Sequence, residues 1–287
     1  MTLKPGVMKT LTVARISSFG YFLTDGTEDV LLHRKEATKE LEVDDKVDVF
    51  LYHDHQQRLA ATMEKPLLTD DGIAWLEVVN VKQGHGLFLY NGISRDLFLS
   101  IDELPEDRKR WPRPGDRLPV SMTYDKKGRV MAKLVKGAPI ETQAKQADKT
   151  LVNSELMGHV YHMLDNGAFL FTDEGYLAFL HNKEMTEQLR LGQALTVRVI
   201  FVREDGRVNV TLKPHQLESR ISDSVEIYNY LQQRGGAMPY WDKSPSEDIK
   251  KRFGISKAAF KRALGKLMKE NKVYQEEGWT YAKEKHS

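Results

Sequence analysis

Phe19-Gly20-Tyr21-Phe22-Leu23 decides how this 287-residue chain is read, because the chain writes the stretch three times. It returns as Gly86-Leu87-Phe88-Leu89 and again as Gly167-Ala168-Phe169-Leu170. A second echo follows each copy: Leu32-His33-Arg34-Lys35-Glu36, Leu99-Ser100-Ile101-Asp102-Glu103 and Leu180-His181-Asn182-Lys183-Glu184. A third closes each repeat, running from Asp54 to Arg58, from Asp125 to Arg129, and through Glu204-Asp205-Gly206-Arg207, with an apolar run after each. Ordered echoes at matching offsets mark internal repeats, so most of the chain is one small β module used repeatedly.

Outward from the first copy the pattern is one of short strands. Met8 to Ile16 alternates and is rich in β-branched residues, Ser18-Phe19-Gly20 turns the chain, and Tyr21 to Thr24 begins the next strand. Asp25-Gly26 signals a hairpin, Val30 to Leu32 is a third strand, and Arg34 to Leu41 has the charge and length of one or two helical turns. Lys46 to Leu51 alternates again, and Arg58 to Met63 completes the set. Short strands with a helical insert after the third describe an OB-type barrel, a module small enough to close over a modest core.

The second repeat runs from Ile73 to Val135 and the third from Glu155 to Lys213. Pro119 interrupts the fourth-strand run of the second repeat; because proline donates no ladder hydrogen bond, a distortion is expected there. Lys65 to Asp71, with Pro66, forms one linker, and Glu141 to Lys149 in the polar connector before the third repeat is expected to be helical.

After Pro214 the hydrophobic period lengthens. Ile221 to Gln233 reads as a helix stopped by Gly235-Gly236, and Ser246 to Phe253 as a second closed by Gly254. Ser256 caps a third, Lys257 to Glu270, with Phe260, Ala263, Leu264 and Leu267 on one face. Val273 to Gln275 and Trp279 to Tyr281 flank Glu276-Glu277-Gly278 as a hairpin; Trp279 beside Gly278 suits a wing-tip contact, with packing of the hairpin on the third helix the favoured expectation. Helices followed by a hairpin are the winged-helix layout. The fold class is therefore mainly β with a C-terminal α+β part: tandem OB-fold barrels over 1–63, 72–136 and 150–214, and a winged helix over 221–285.

A net charge of +2 announces no partner by itself, but acidic residues outnumber basic ones over 1–62 and the reverse holds over 222–287. With no cysteine there is no disulfide framework and no thiolate metal site. No apolar run approaches the ~20 residues of a membrane span and no signal-peptide core opens the chain, so a cytoplasmic location is expected. No Walker loop, no His-Glu-x-x-His and no acidic nuclease cluster appears, so neither catalysis nor a cofactor is expected.

The recurring residues admit plain roles as well as functional ones. Gly20, Gly86 and Gly167 serve the backbone, either at positive φ or at a tight corner. Glu36, Glu103 and Glu184 are expected to cap or solvate the helical insert. His53 and His55, flanking Asp54, are expected to face solvent and hold no metal. Phe22, Phe88 and Phe169 suit either a barrel core or a stacking surface, and the aromatic identity kept in each copy favours the second as much as the first.

The repeated Gly-x-Phe-Leu, the His/Ser-x-x-Glu echo and the closing Asp-to-Arg run resemble the S-one domain, an OB-fold module. The modules followed by a winged helix resemble, over nearly the whole chain, the conserved virulence factor B family of bacteria. That resemblance implies RNA binding and regulation of gene expression. It places RNA-binding residues at Phe19, Phe22, His33, Asp54 and Arg58 in the first repeat. In the second they are His85, Phe88 and Arg129, with Ser100 at the histidine position. In the third they are Phe169, His181 and Arg207, with Asn166 at the first aromatic position. An unstacked base set against Phe or His gains ~1–3 kcal/mol while Arg or Lys meets the phosphate. On the third helix of the winged domain, Lys257, Lys261, Arg262, Lys266 and Lys269 lie clear of the apolar side and supply a basic surface.

The expectation is a non-enzymatic regulator that binds single-stranded RNA through its barrels, with the winged helix adding surface for RNA or duplex DNA. The alternative is a transcription regulator reading duplex DNA through the winged helix, with the barrels as protein-interaction modules. A third class is an adaptor on the ribosome or a nuclease.

Overall fold

A computed structural model describes residues 3–214 and 216–283. The chain divides into two compact units, the first ending at Leu212 and the second beginning at Lys213.

The first unit holds closed barrels of five strands each. Strands β1 (Met8–Ile16), β2 (Gly20–Thr24), β3 (Asp29–His33), β4 (Lys46–His53) and β5 (Leu59–Thr62) form the first. Strands β6 (Ile73–Lys82), β7 (Gly86–Leu89), β8 (Leu97–Ser100), β9 (Arg117–Tyr124) and β10 (Val130–Leu134) form the second. Strands β11 (Glu155–Leu164), β12 (Gly167–Thr172), β13 (Leu177–His181), β14 (Ala194–Val202) and β15 (Val208–Thr211) form the third. In each, the first strand pairs with both second and fourth, and the third and fifth run parallel, which is the OB closure.

Alternation along each strand builds the cores. Val13, Leu23, Leu32, Val49 and Leu51 fill the first barrel, Leu76, Val78, Leu87, Leu99 and Val120 the second, and Val160, Leu170, Leu180, Val199 and Val208 the third. Each such side chain contributes about 1.5–3 kcal/mol by leaving water.

The repeated glycine has a specific cause. A Cβ at Gly20, Gly86 or Gly167 would overlap the carbonyl oxygen of Leu32, Leu99 or Leu180 on the neighbouring third strand. Of the three only Gly86 has positive φ, at 146°. Close backbone approach, shared by all copies, is therefore the common reason for glycine.

Some local expectations are corrected. The helical insert is a single 3-10 turn, Arg34–Glu36, repeated as Ile101–Glu103 and Asn182–Glu184, and does not extend to Leu41. Pro119 leaves β9 unbroken: it lies opposite Trp75 of β6, and its carbonyl accepts from Val135 N at 2.9 Å. Carbonyl and missing N–H point the same way, toward β10, whose ladder with β9 ends at Leu134 opposite Val120. The absent donor thus falls at the end of a ladder, where it costs least. The connector is α-helical only over α1 (Ala138–Glu141), with one 3-10 turn at Lys149–Leu151; between them Lys145 N donates to Gly175 O at 2.8 Å and Ala147 N to Gly206 O at 2.9 Å, so it lies along the third barrel.

The barrels meet in two different ways. Between second and third, Trp75 stacks on Phe171 at 5.6 Å, Leu191 joins the core of the second barrel, and Arg190 pairs with the buried Asp116 at 3.2 Å. Between first and second, side-chain hydrogen bonds cross: Ser94 Oγ donates to Glu36 Oε1 at 2.7 Å, Arg95 to His55 Nδ1 at 2.7 Å, and Tyr124 OH to Pro5 O at 2.9 Å.

The second unit contains α2 (Gln216–Gln233), β16 (Ala237–Met238), α3 (Ser246–Phe253), α4 (Lys257–Lys269), β17 (Val273–Glu276) and β18 (Trp279–Ala282), with sheet order β16-β18-β17. The short β16, not anticipated from the sequence, turns the hairpin into a three-stranded sheet. Ile227, Leu231, Ile249, Phe260, Leu264 and Val273 form its core. Ser256 Oγ accepts from Ala259 N at 3.2 Å to start α4, and Gly254 ends α3 at φ 69°. The wing turn has positive φ at Glu277 (47°) and Gly278 (87°), as a two-residue type I′ hairpin requires. Residues 284 and 285 of the expected winged domain, and 1 and 2 of the first barrel domain, lie outside the described residues. Among the described residues no helix is long and apolar enough to cross a membrane.

Candidate nucleic-acid interface

The recurring phenylalanines lie on the outside of the barrels. Phe22, Phe88 and Phe169 are each half-buried, while their strand neighbours Leu23, Leu89 and Leu170 are fully buried in the cores. A bulge explains what faces them. The register of first and second strands shifts between Val13 and Arg15, between Val78 and Asn80, and between Val160 and His162. That shift brings Arg15, Asn80 and His162 opposite the three phenylalanines, re-aiming a side chain as bulges do.

The first barrel makes the most open platform. Phe19, 49 % exposed, meets Phe22 edge-on at 5.9 Å, and the Arg15 guanidinium lies 3.5 Å over the Phe22 ring. The row continues across the barrel through Leu31, Ala60 and Tyr52. In the third barrel the row runs His162, Phe169, Phe179, Asn209 and Phe201, with His162 stacked on Phe169 at 6.2 Å and Phe201 56 % exposed. Burial and nearby Lys136 hold the His162 imidazole below its usual range. Phe169 also packs on the cluster of Ile140, Tyr161 and Leu177, so the connector takes part of the space that stays open in the first barrel.

The histidine echo has a structural half. His33 Nδ1 accepts from Lys35 N at 3.2 Å, and His181 Nδ1 from Lys183 N at 3.0 Å; Ser100 Oγ accepts from Asp102 N at 3.3 Å in the same way. The position caps the 3-10 turn, which Ser and His both do, and with Nδ1 accepting, His33 and His181 keep Nε2–H as a donor. The glutamate echo is corrected: it ties the turn to the fifth strand or beyond instead of capping it. Glu103 Oε2 accepts from Leu134 N at 3.2 Å, Glu184 Oε2 from Thr211 Oγ1 at 2.7 Å, and Glu36 from Ser94 of the second barrel.

The closing echo is a self-contained turn. Asp54 accepts from the backbone N–H of Gln56 and Arg58 and from the Arg58 guanidinium at 2.9 and 2.7 Å. Asp125 repeats this with Lys127 and Arg129, whose backbone and side-chain bonds hold its carboxyl below the usual range. Arg207 keeps its turn aspartate, Asp205, at 3.5 Å and also reaches Glu141 of the connector at 2.9 Å. The arginines are thus charge-compensated and present only their outward N–H groups to a phosphate.

His85 and Phe88 line a cleft between first and second barrels, with Phe98 tilted against Phe88 at 5.3 Å. His53 lines the same cleft with Nδ1 buried and unbonded, and His55 receives the bond from Arg95 already described, so the pair does not simply face solvent. Among the described residues no group of His, Asp or Glu is arranged to hold a metal.

On α4 the basic side chains differ in their partners. Lys257 Nζ donates to Lys243 O at 3.3 Å, Lys266 lies 3.9 Å from Glu270, and Arg262 faces Asp223, whose carboxyl burial raises and Arg262 lowers. Lys261 and Lys269 are exposed without an ion pair among the described residues. Trp279 is corrected: it lies on the outer face of the wing, 39 % exposed and stacked at 6.4 Å on Tyr281, which stacks on Tyr274 at 5.3 Å.

Sequence reasoning missed Arg15, Phe201 and the Trp279-Tyr281-Tyr274 stack. For Arg15 the available signal was a polar residue five or six positions before each glycine: Arg15, Asn80 and His162.

Comparison with known proteins gives a match along most of the chain. Residues 5–64 match the S1 domain, 73–133 the CvfB first S1-like domain, 140–214 the second domain of virulence regulatory factor CvfB, and 225–281 the CvfB-like winged helix domain. The protein YitL of Bacillus subtilis (strain 168) is 44% identical over 98% of this chain and 95% of its own. Conserved virulence factor B of Staphylococcus aureus (strain USA300) is 30% identical over 95% of this chain and 92% of its own. A crystal structure from Streptococcus pneumoniae, described as a multidomain protein with nucleic acid binding domains, superposes with a TM-score of 0.69 at 33% identity, covering 97% of this chain and 98% of that one.

Proposed function

The chain belongs to the conserved virulence factor B family, and on that premise we propose that it is a non-catalytic RNA-binding regulator of gene expression working in the cytoplasm. Single-stranded RNA lies along the barrels, and the winged helix adds basic surface. The functional divisions in this reading are 1–63, 72–136, 150–214 and 221–285.

The observation that carries the proposal is the first-barrel platform: an exposed Phe19, a half-buried Phe22 and a guanidinium 3.5 Å above it, with His33 one strand away. Rings and planar cation offer stacking faces to unpaired bases, and such faces have no use for a base locked inside a duplex. Modest sites on linked barrels reinforce one another through effective concentration.

The test is fluorescence anisotropy on the full chain with a labelled pyrimidine RNA of about a dozen nucleotides and a duplex DNA of similar length, with salt titrated. Phe19→Ala with Phe22→Ala weakens RNA binding while the protein stays folded. RNA binding unchanged by that pair, with duplex DNA preferred and lost on Lys261→Ala with Arg262→Ala, makes the chain a DNA-binding regulator instead.

A further inference from the structure

The first and second barrels enclose between them a cleft of about 340 Å³, within the range of small-ligand sites, ~300–1,000 Å³. Its contents are chemically distinct. The Phe88 and Phe98 rings, 5.3 Å apart and tilted by 55°, give an aromatic surface. Lys82 lines it without an ion pair among the described residues, and His85, whose Nδ1 lies 3.0 Å from Gln83 O, lines it too. One carboxylate, the exposed Asp96, lines the cleft and accepts no hydrogen bond among the described residues. The opposite wall comes from the first barrel, where His53 keeps a buried Nδ1 unbonded.

An aromatic surface, an unpaired ammonium and a carboxylate with no donor among the described residues in one cleft match the separate parts of a nucleotide. The carboxylate selects among bases. Unpaired guanine presents two adjacent donors, N1–H and the 2-amino group. Adenine and cytosine present a donor beside an acceptor, and uracil a donor between two acceptors, which a carboxylate repels. A site whose one acceptor can take two donors favours the ligand that supplies both.

We infer that this cleft is a guanine-nucleotide slot, with the base against Phe88 and Phe98, its N1–H and 2-amino edge toward Asp96, and its phosphate toward Lys82 and His85. The inference deepens the proposed reading of the barrels and rests on it. It differs from a stacking surface on one barrel because Tyr52 and His53 of the first barrel complete the enclosure. The nucleotide is either free or one residue of an RNA strand.

The test uses the full chain, with GMP and AMP titrated by calorimetry, and guanine-containing and guanine-free RNA dodecamers by anisotropy. GMP or the guanine-containing RNA binds at least about tenfold more tightly than its counterpart. Asp96→Asn, near-isosteric and checked by an unchanged melting temperature, erases that preference; Lys82→Ala weakens GMP but leaves guanosine unchanged. Preference seen with GMP identifies a free nucleotide, and preference seen only with RNA identifies a base of the strand. No guanine preference in either format, or a preference untouched by Asp96→Asn, overturns the inference. Pyrimidine RNA still binding through Phe19 and Phe22 in that case leaves the broader function standing.

Discussion

Arg15 holds its guanidinium 3.5 Å above the ring of Phe22 and 4.0 Å from Asp29. The ring is therefore already covered on one side in the free protein. On the proposed reading, a base arriving at the platform stacks on the guanidinium or displaces it, which makes the first strand, and not only the turn after it, part of the RNA surface.

Replacing Arg15 by Ala removes both a stacking plane and a phosphate partner. RNA affinity falls about three- to tenfold, and the slope of log affinity against log salt becomes shallower by about 0.7, the contribution of one phosphate contact on a single strand. Arg15→Lys restores the slope without the stacking. Stability changes by no more than about 0.5–1 kcal/mol, since the contact is at the surface.

Two glycine substitutions have opposite signs. Gly167→Ala drives a methyl into the Leu180 carbonyl and the Phe179 ring and destabilises the third barrel by at least about 1–3 kcal/mol in urea unfolding. Gly265, inside α4 with open space around its Cβ position, lacks any such reason. Gly265→Ala stabilises the winged unit by about 0.5–1 kcal/mol.

Asp116 is 7 % exposed and is held by Arg190 of the third barrel and by Arg113 N. Asp116→Ala leaves the Arg190 charge without its partner and costs about 3–5 kcal/mol. Thermal melting then splits into separate steps, as the second and third barrels no longer unfold together.

The hairpin turn at Asp25 accepts from Thr27 side chain and backbone and from Glu28 N, and its carboxyl is lowered to about 2. A depressed folded value means the turn is stabilised fully above the ordinary carboxylate range near 4 and loses that stabilisation as pH falls through about 2. Carbon-detected NMR titration of the Asp25 carboxyl shows its midpoint near 2, and Thr27→Ala moves it upward.

The strands, their order and the winged layout were legible because burial writes a period of two or near 3.6 into sequence, and because repetition let one copy confirm another. Arg15 was not, because a bulge changes which side a residue faces without changing residue type. The second role of His33 was hidden for a related reason: capping is satisfied equally by Ser100, so the echo reported a hydrogen bond and not a ring. The salt partner of Arg207, Glu141, and the cleft at Phe88 are products of how barrels and connector meet, which no local pattern encodes. Pro119 misled in the other direction, since its cost depends on which neighbour the missing N–H faces.

The two barrel junctions are built from different materials. A stacked tryptophan, an inserted leucine and a buried ion pair weld the second barrel to the third, whereas hydroxyl, carboxylate and imidazole bonds hold the first to the second. Three modules alike in sequence are thus joined unequally, and under denaturant or force the first is expected to come away before the other two, opening the cleft along its spine.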